Sequence, residues 1–485
     1  MAQELVRTSP EAVGIPSGAI EALVARLEAR EGGAHSLMLL RHGRVAAEGW
    51  WAPYGAQRAH MLFSLSKSFT STAVGLAVHE GRLSVDDPIL SFFPEVAPPE
   101  PGEHLAAMRV RHLLSMNTGH SADTIDALLA RADGDWRRAF LSCPVTHAPG
   151  SLFCYNSGAS YMLSAIVQRL AGQRVVDYLG PRLFEPLGIP APRWDTCPQG
   201  IDAGGWGLYL RTEDIARFGQ LYLQRGRWGG AQIVPEAWVA EATSFHSDNS
   251  MRETPDWRQG YGYQFWLCRH GAYRGDGAHG QFCLVLPAQD AVLALTSGVR
   301  DLQAVLDAVW EELLPAMGPA TLPEDRAARG ALAARLAGLR ISPPAGAAHS
   351  PLEEALSGRR YRCDGAGGIA SVALAFAPGG ATVELEDPLG VHRLEVATDG
   401  TWRENRTGMA FAPARSVRER EERPVACAGA WEDERTFACT LCFAETPFHP
   451  TARFRYEGDE LRLSLHPNVG YDAVAAQVYV GRWAR

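Results

Sequence analysis

From residue 62 to residue 78 the chain carries one formally charged side chain, Lys67, in the run Leu62-Phe63-Ser64-Leu65-Ser66-Lys67-Ser68-Phe69-Thr70-Ser71-Thr72-Ala73-Val74-Gly75-Leu76-Ala77-Val78. Small and apolar residues on nearly every face predict a helix buried on all sides, so the chain must build a core around it. Lys67 is also the sole lysine: lysine and arginine total 46, and the other 45 are arginine. Arginine keeps its proton in proteins, whereas a desolvated lysine gives its proton up more readily and can serve as a base. A chain that uses arginine everywhere else thus keeps lysine where a proton must be accepted. Ser64 and Lys67 stand at i and i+3 on one helix face, within hydrogen-bond reach of each other. A residue in the first helical turn has a backbone N–H free to stabilise an oxyanion. The pair reads as a nucleophile, Ser64, and its proton acceptor, Lys67.

The remainder of the 485 residues exceeds what one core holds, and the pattern divides. Residues 36–40 and 45–48, joined by Arg41-His42-Gly43-Arg44, read as two antiparallel strands, and residues 262–267, 281–287 and 291–297 as further strands. Helical periodicity occupies residues 157–170 and 212–222. Residues 1–318 are therefore expected to form an α/β domain of the α+β kind, an antiparallel sheet flanked by helices with an all-helical insertion. Residues 319–350, with Pro343-Pro344-Ala345-Gly346 and one helical stretch at 331–339, read as a linker. Residues 351–485 change to period two, at 371–377, 381–386, 391–396, 436–443, 453–456 and 461–465, with Gly-rich turns between them. An all-β barrel or sandwich is expected there.

Phe63-Ser64-Leu65-Ser66-Lys67-Ser68-Phe69 resembles the first motif of the serine β-lactamase (class C) and penicillin-binding-protein-like hydrolase superfamily, which includes carboxylesterases of the family VIII type and D-aminopeptidases. Three further stretches agree in order: Gly81-Arg82-Leu83-Ser84-Val85-Asp86-Asp87-Pro88, the segment from Val110 to His120, and Pro149-Gly150-Ser151-Leu152-Phe153-Cys154-Tyr155-Asn156-Ser157. The resemblance implies that Tyr155 shares the proton with Lys67 and protonates the leaving group. A phenol close to an ammonium is expected to have a lowered pKa. The family pattern of tyrosine, any residue, asparagine is replaced here by Tyr155-Asn156-Ser157, which leaves Asn156 and Ser157 as substrate-binding candidates and weakens the case for β-lactam hydrolysis. The third motif is placed at Ala278-His279-Gly280-Gln281: Gly280 would let substrate backbone approach, the N–H of Gln281 would join that of Ser64 as oxyanion donor, and His279 would bind substrate or line the rim. Trp206, beside Gly204 and Gly205, is a candidate cleft wall.

These readings point to a serine hydrolase that cleaves small ester or amide bonds through an acyl-enzyme on Ser64. β-Lactamase or D-amino-acid peptidase activity and acyl transfer on the same residues are the alternatives, and a ligand-binding sensor retaining the fold is the non-enzymatic one. No metal or organic cofactor is expected. A net charge of −9 without a basic run argues against nucleic acid. The opening Met1-Ala2-Gln3-Glu4-Leu5-Val6-Arg7 lacks the pattern of a secretory leader and no apolar stretch suits a membrane span, so a cytoplasmic location is expected. Nine cysteines, including Cys439-x-x-Cys442, read as free thiols. Oligomeric state is not legible.

Overall fold

A computed structural model describes residues 4–29, 33–364, 368–409, 421–471 and 475–484. Met1, Ala2 and Gln3, part of the opening stretch read for a leader, lie outside the described residues. The strand Ala34–Arg41 is buried along its whole length, which is why its apolar run is continuous and does not alternate. It pairs antiparallel with Arg44–Trp50 on one side and Ala291–Ser297 on the other, with Leu37 opposite Gly49 and Leu295. Gln281–Leu286, Tyr273–Gly277 and Trp266–Leu267 extend the sheet beyond Ala291–Ser297, and Val6–Arg7 pairs in parallel with Arg44–Trp50 at the far edge. Residues 262–267 were expected to be one strand. Only Trp266–Leu267 is extended; Gln264 adopts φ 65° and Gly262 N–H bonds the Phe265 carbonyl at 2.8 Å, so residues 262–265 close a tight turn.

Each face of this sheet has its own core. Leu37, Leu39, Leu293 and Leu295 pack with Ile20 and Leu23 of the helix Ser17–Glu28 and Val305 of the helix Leu302–Ala308. On the other face Met38, Val292 and Ala294 meet the helices Ser66–His79, Ser157–Ala171 and Thr212–Leu223 in a second core. The helix that lacked a polar face in the sequence is at the centre of this second core, with twelve residues from Ser66 to Ala77 buried.

The second large sheet runs from Arg360–Cys363 to Gln477–Trp483 and is closed. Nine strands follow one another round the ring, which closes where Ala397 meets Ala428, and Arg403–Thr407 pairs onto Arg423–Asp433 outside it. The barrel interior is filled by alternate residues, such as Val383 and Leu385 or Phe437, Cys439 and Leu441. The stretch 319–350, expected as a linker, is tied down at several points. Leu332 of the helix Arg326–Ala337 is buried in the first core, Ile341 N–H bonds Ala52 O at 2.8 Å, and Ala347 exchanges backbone bonds with Trp431. Its helix has enough apolar residues on one side to dock, so the segment is a strap along the molecule. The nine cysteines are all free, with Cys439 and Cys442 buried in the barrel wall. Among the described residues no helix is long and apolar enough to cross a membrane.

Candidate active site

The chain reaches the site through a short strand, His60–Met61, held by Leu208–Leu210. A 3-10 turn, Phe63–Leu65, then leads into the helix Ser66–His79. Between Met61 and Ala77 every residue but Ser64 is buried, so the hydroxyl is the one point at which this segment meets the cleft. Lys67, 1 % exposed, lies one turn on. Its Nζ donates to Ser64 Oγ at 3.1 Å, to Ser157 Oγ at 3.3 Å and to the carbonyl of Gly205 at 2.8 Å. It also lies over the Tyr155 ring, 4.8 Å from the centroid. Three stretches, 64–67, 155–157 and the Gly205 turn, thus converge on one amine.

Ser157 begins the helix Ser157–Ala171, and its N–H donates to Asp123 Oδ1 at 2.8 Å, which ties the main chain at the helix start. Asn156 is the N-cap of that helix. Its Oδ1 accepts from Gly158 N–H, Ala159 N–H and both the N–H and hydroxyl of Thr124, in a fully buried position. Asn156 thus acts as a buried helix cap through Oδ1, while its Nδ2 has no hydrogen-bond partner. Gly205 is bound to its place by close approach: a Cβ there would fall 2.9 Å from Ser157 O and 3.4 Å from Lys67 Nζ. Trp206 next to it packs against Trp136 at 5.6 Å and is largely buried, so the contribution of this segment to the lysine is the Gly205 carbonyl and not the indole.

Tyr155 stacks on Trp266 at 5.2 Å. Burial pushes its phenol above the usual range, the Asp276 carboxylate adds to the rise, and a hydrogen bond with Ser64 opposes it. This reverses the expectation of a lowered value, because burial and a carboxylate dominate the hydroxyl while Lys67 lies over the ring face. Asp276 is a site residue that the sequence did not disclose. It is 7 % exposed, receives Arg274 Nε at 2.9 Å, and its own carboxyl is raised by burial against the lowering pull of Arg274 and Lys67. Its only sequence signal is its place between Gly275 and Gly277.

Across from the Ser64 turn lies the hairpin formed by Tyr273–Gly277 and Gln281–Leu286. Gly277 approaches most closely, since a Cβ there would fall 2.1 Å from Leu62 O. Gln281 pairs with Gly277 in the ladder, and its buried side chain donates to Ala278 O and Ser297 O, clamping the turn. Gly280, at φ 89°, turns the chain, and a Cβ on it would meet Ser297 Oγ at 2.2 Å. His279 is buried with its ring edge-on to Phe63, and desolvation lowers its pKa to about 4, so the imidazole is neutral at pH 7. Among the described residues no group of three or more His, Cys, Asp or Glu side chains is placed to hold a metal ion.

Comparison with known proteins gives the family and the fold. Over 323 residues the chain is 26 % identical to the 6-aminohexanoate-dimer hydrolase of Paenarthrobacter ureafaciens, covering 61 % of this chain and 81 % of that one. It is 26 % identical over 303 residues to penicillin-binding protein 4 of Amycolatopsis lactamdurans, covering 54 % and 77 % of the two chains. A penicillin-binding protein homologue from Caulobacter crescentus shares the fold, with a TM-score of 0.51, 17 % identity and coverage of 64 % of this chain and 100 % of that one. The Beta-lactamase family model matches residues 20–307, which include the Ser64 turn, the helix Ser66–His79 and the facing hairpin, and the chain belongs to that family.

Proposed function

We propose that the protein is a serine acyl hydrolase acting on small esters or amides without a cofactor. The observation that carries this reading is the contact between Lys67 Nζ and Ser64 Oγ at 3.1 Å, in a chain whose one lysine is spent there. Ser64 Oγ attacks the carbonyl carbon as its proton passes to the amine form of Lys67. The tetrahedral oxyanion is met by the N–H of Ser64 and by a second N–H from the 277–281 hairpin, for which Gln281 is the sequence candidate. Tyr155, kept protonated by burial, gives its proton to the departing alkoxide or amine and regains one from Lys67. Water then adds to the acyl-enzyme by the same steps in reverse and releases the acid.

The relative from Paenarthrobacter ureafaciens is named for hydrolysis of a 6-aminohexanoate dimer, which makes linear amides the amide class to try first. The domain limits 1–318, 319–350 and 351–485 are part of the same proposal, with the first span catalytic. Turnover of p-nitrophenyl butyrate, of a p-nitroanilide and of a chromogenic cephalosporin by the purified chain tests the reading. Ester or anilide hydrolysis with little cephalosporin turnover is expected; turnover of the cephalosporin alone would replace the reading with β-lactamase activity, and turnover of none, with no covalent adduct, would favour a sensor.

A further inference from the structure

Two residues flanking the nucleophile take a backbone conformation that side chains disfavour. Phe63, directly before Ser64, has φ 48°, and His279, at the end of the facing hairpin, has φ 65°. In the left-handed region a Cβ crowds its own backbone, and a bulky residue stays there only when its surroundings over-determine it. Here the surroundings are four rings. Phe63 and His279 meet edge to face at 5.4 Å. Phe448 touches both, at 6.3 and 5.7 Å, and Tyr471 touches both, at 6.2 and 5.3 Å.

Phe448 and Tyr471 belong to the connections of the C-terminal barrel, after the strands Thr436–Cys442 and Glu460–His466. Phe63, His279 and Phe448 are buried, and the partly exposed Tyr471 ring closes the outer side. Phe63 and its neighbour Met61 share an apolar cluster with the barrel interior, unlike the helix that follows them. The Nε2 of His279 has no hydrogen-bond partner, so packing and not polar contact holds that end of the ring.

We propose that the barrel is a working part of the catalytic site: Phe448 and Tyr471 clamp the Phe63 ring against His279 and so hold Phe63 in the left-handed conformation that presents Ser64 to Lys67. The proposal rests on Ser64 being the nucleophile. It makes Phe63, Phe448 and Tyr471 positioning residues, which touch no reacting atom and act through the direction of the Ser64 hydroxyl.

Glycine supplies the test, because it enters the left-handed region without the penalty of a side chain. The rate constant for labelling of Ser64 by a fluorophosphonate, read by intact mass, is compared among wild type, Phe448→Ala, Tyr471→Ala, Phe63→Ala, Phe63→Gly and the double variant Phe63→Gly/Tyr471→Ala, with melting temperatures alongside. Phe448→Ala or Tyr471→Ala should slow labelling about tenfold, the scale of one relaxed backbone strain. Phe63→Gly should label faster than Phe63→Ala, although it removes more packing, and Tyr471→Ala should cost nothing further in the glycine background. A ring that merely fills space predicts the opposite order, alanine at or above glycine, and that result overturns the clamp. Tyr471→Ala keeps the test open should Phe448→Ala not fold, since that ring is 43 % exposed. Equal rates across variants of an enzyme that labels at Ser64 refute the clamp alone, whereas a wild type with no adduct on Ser64 refutes the nucleophile.

Discussion

Replacing Lys67 by arginine separates positive charge from proton acceptance. Lys67 is 1 % exposed, and its Nζ lies 3.1, 3.3 and 2.8 Å from Ser64 Oγ, Ser157 Oγ and Gly205 O, so that the neutral amine can donate to Ser157 and Gly205 and accept from Ser64. A guanidinium could satisfy those oxygens electrostatically, yet it has no lone pair to receive the Ser64 proton. The loss should be at least about a hundredfold in kcat, or roughly 2.7 kcal/mol in the barrier, the lower end of what a positioned base contributes. Initial rates on p-nitrophenyl butyrate, with a melting curve to show that the variant is folded, provide the measurement. A folded Lys67→Arg enzyme with turnover within a few fold of wild type would refute the proton-acceptor role.

Asn156→Ala should lower stability by about 1 kcal/mol through loss of the helix cap, and a melting temperature unchanged from wild type would return Asn156 to the substrate site. Gly205→Ala should nearly abolish turnover, because its Cβ would press on Ser157 O at 2.9 Å and turn the carbonyl that holds Lys67; full activity would show that the carbonyl is dispensable. His60 and His279 are each buried with a pKa lowered to about 4, chiefly by desolvation. Both are neutral in the folded protein, while the unfolded chain takes up protons at its ordinary value near 6.5, so stability present above that value is lost as pH falls toward 4. The loss approaches about 3 kcal/mol per histidine at the acid end of that window, and urea melts at pH 7.5 and 4.5 measure it. Equal midpoints at the two pH values would mean that these rings are solvated.

Much of the scaffold was legible because burial leaves a pattern in the residues themselves. The uncharged run around Lys67 did become the central helix, and the period-two segments after residue 370 became barrel strands. Arg403–Thr407 escaped notice because all five of its residues are polar, and Gln477–Trp483 because its valines face outward. At the site, Ser64 and Lys67 were readable as neighbours three residues apart. Ser157 as a lysine partner was not, being ninety positions away. The Gly205 carbonyl could not be read at all, since every residue carries one, and the Gly204-Gly205 pair was read only as the setting of Trp206. The cap role of Asn156 was available from its position before a helical pattern. The raised phenol of Tyr155 depends on burial and on Asp276, neither of which is local in sequence.

Every step of the proposed reaction depends on acylation of Ser64 with the help of Lys67. Incubation of the wild-type chain and of Ser64→Ala with a fluorophosphonate, followed by intact-mass analysis and peptide mapping, tests it most directly. One adduct per wild-type chain is expected, mapped to the peptide bearing Ser64, and none on a Ser64→Ala protein that melts at nearly the same temperature. An adduct retained in Ser64→Ala, or a wild-type adduct mapped to any other residue, would contradict it.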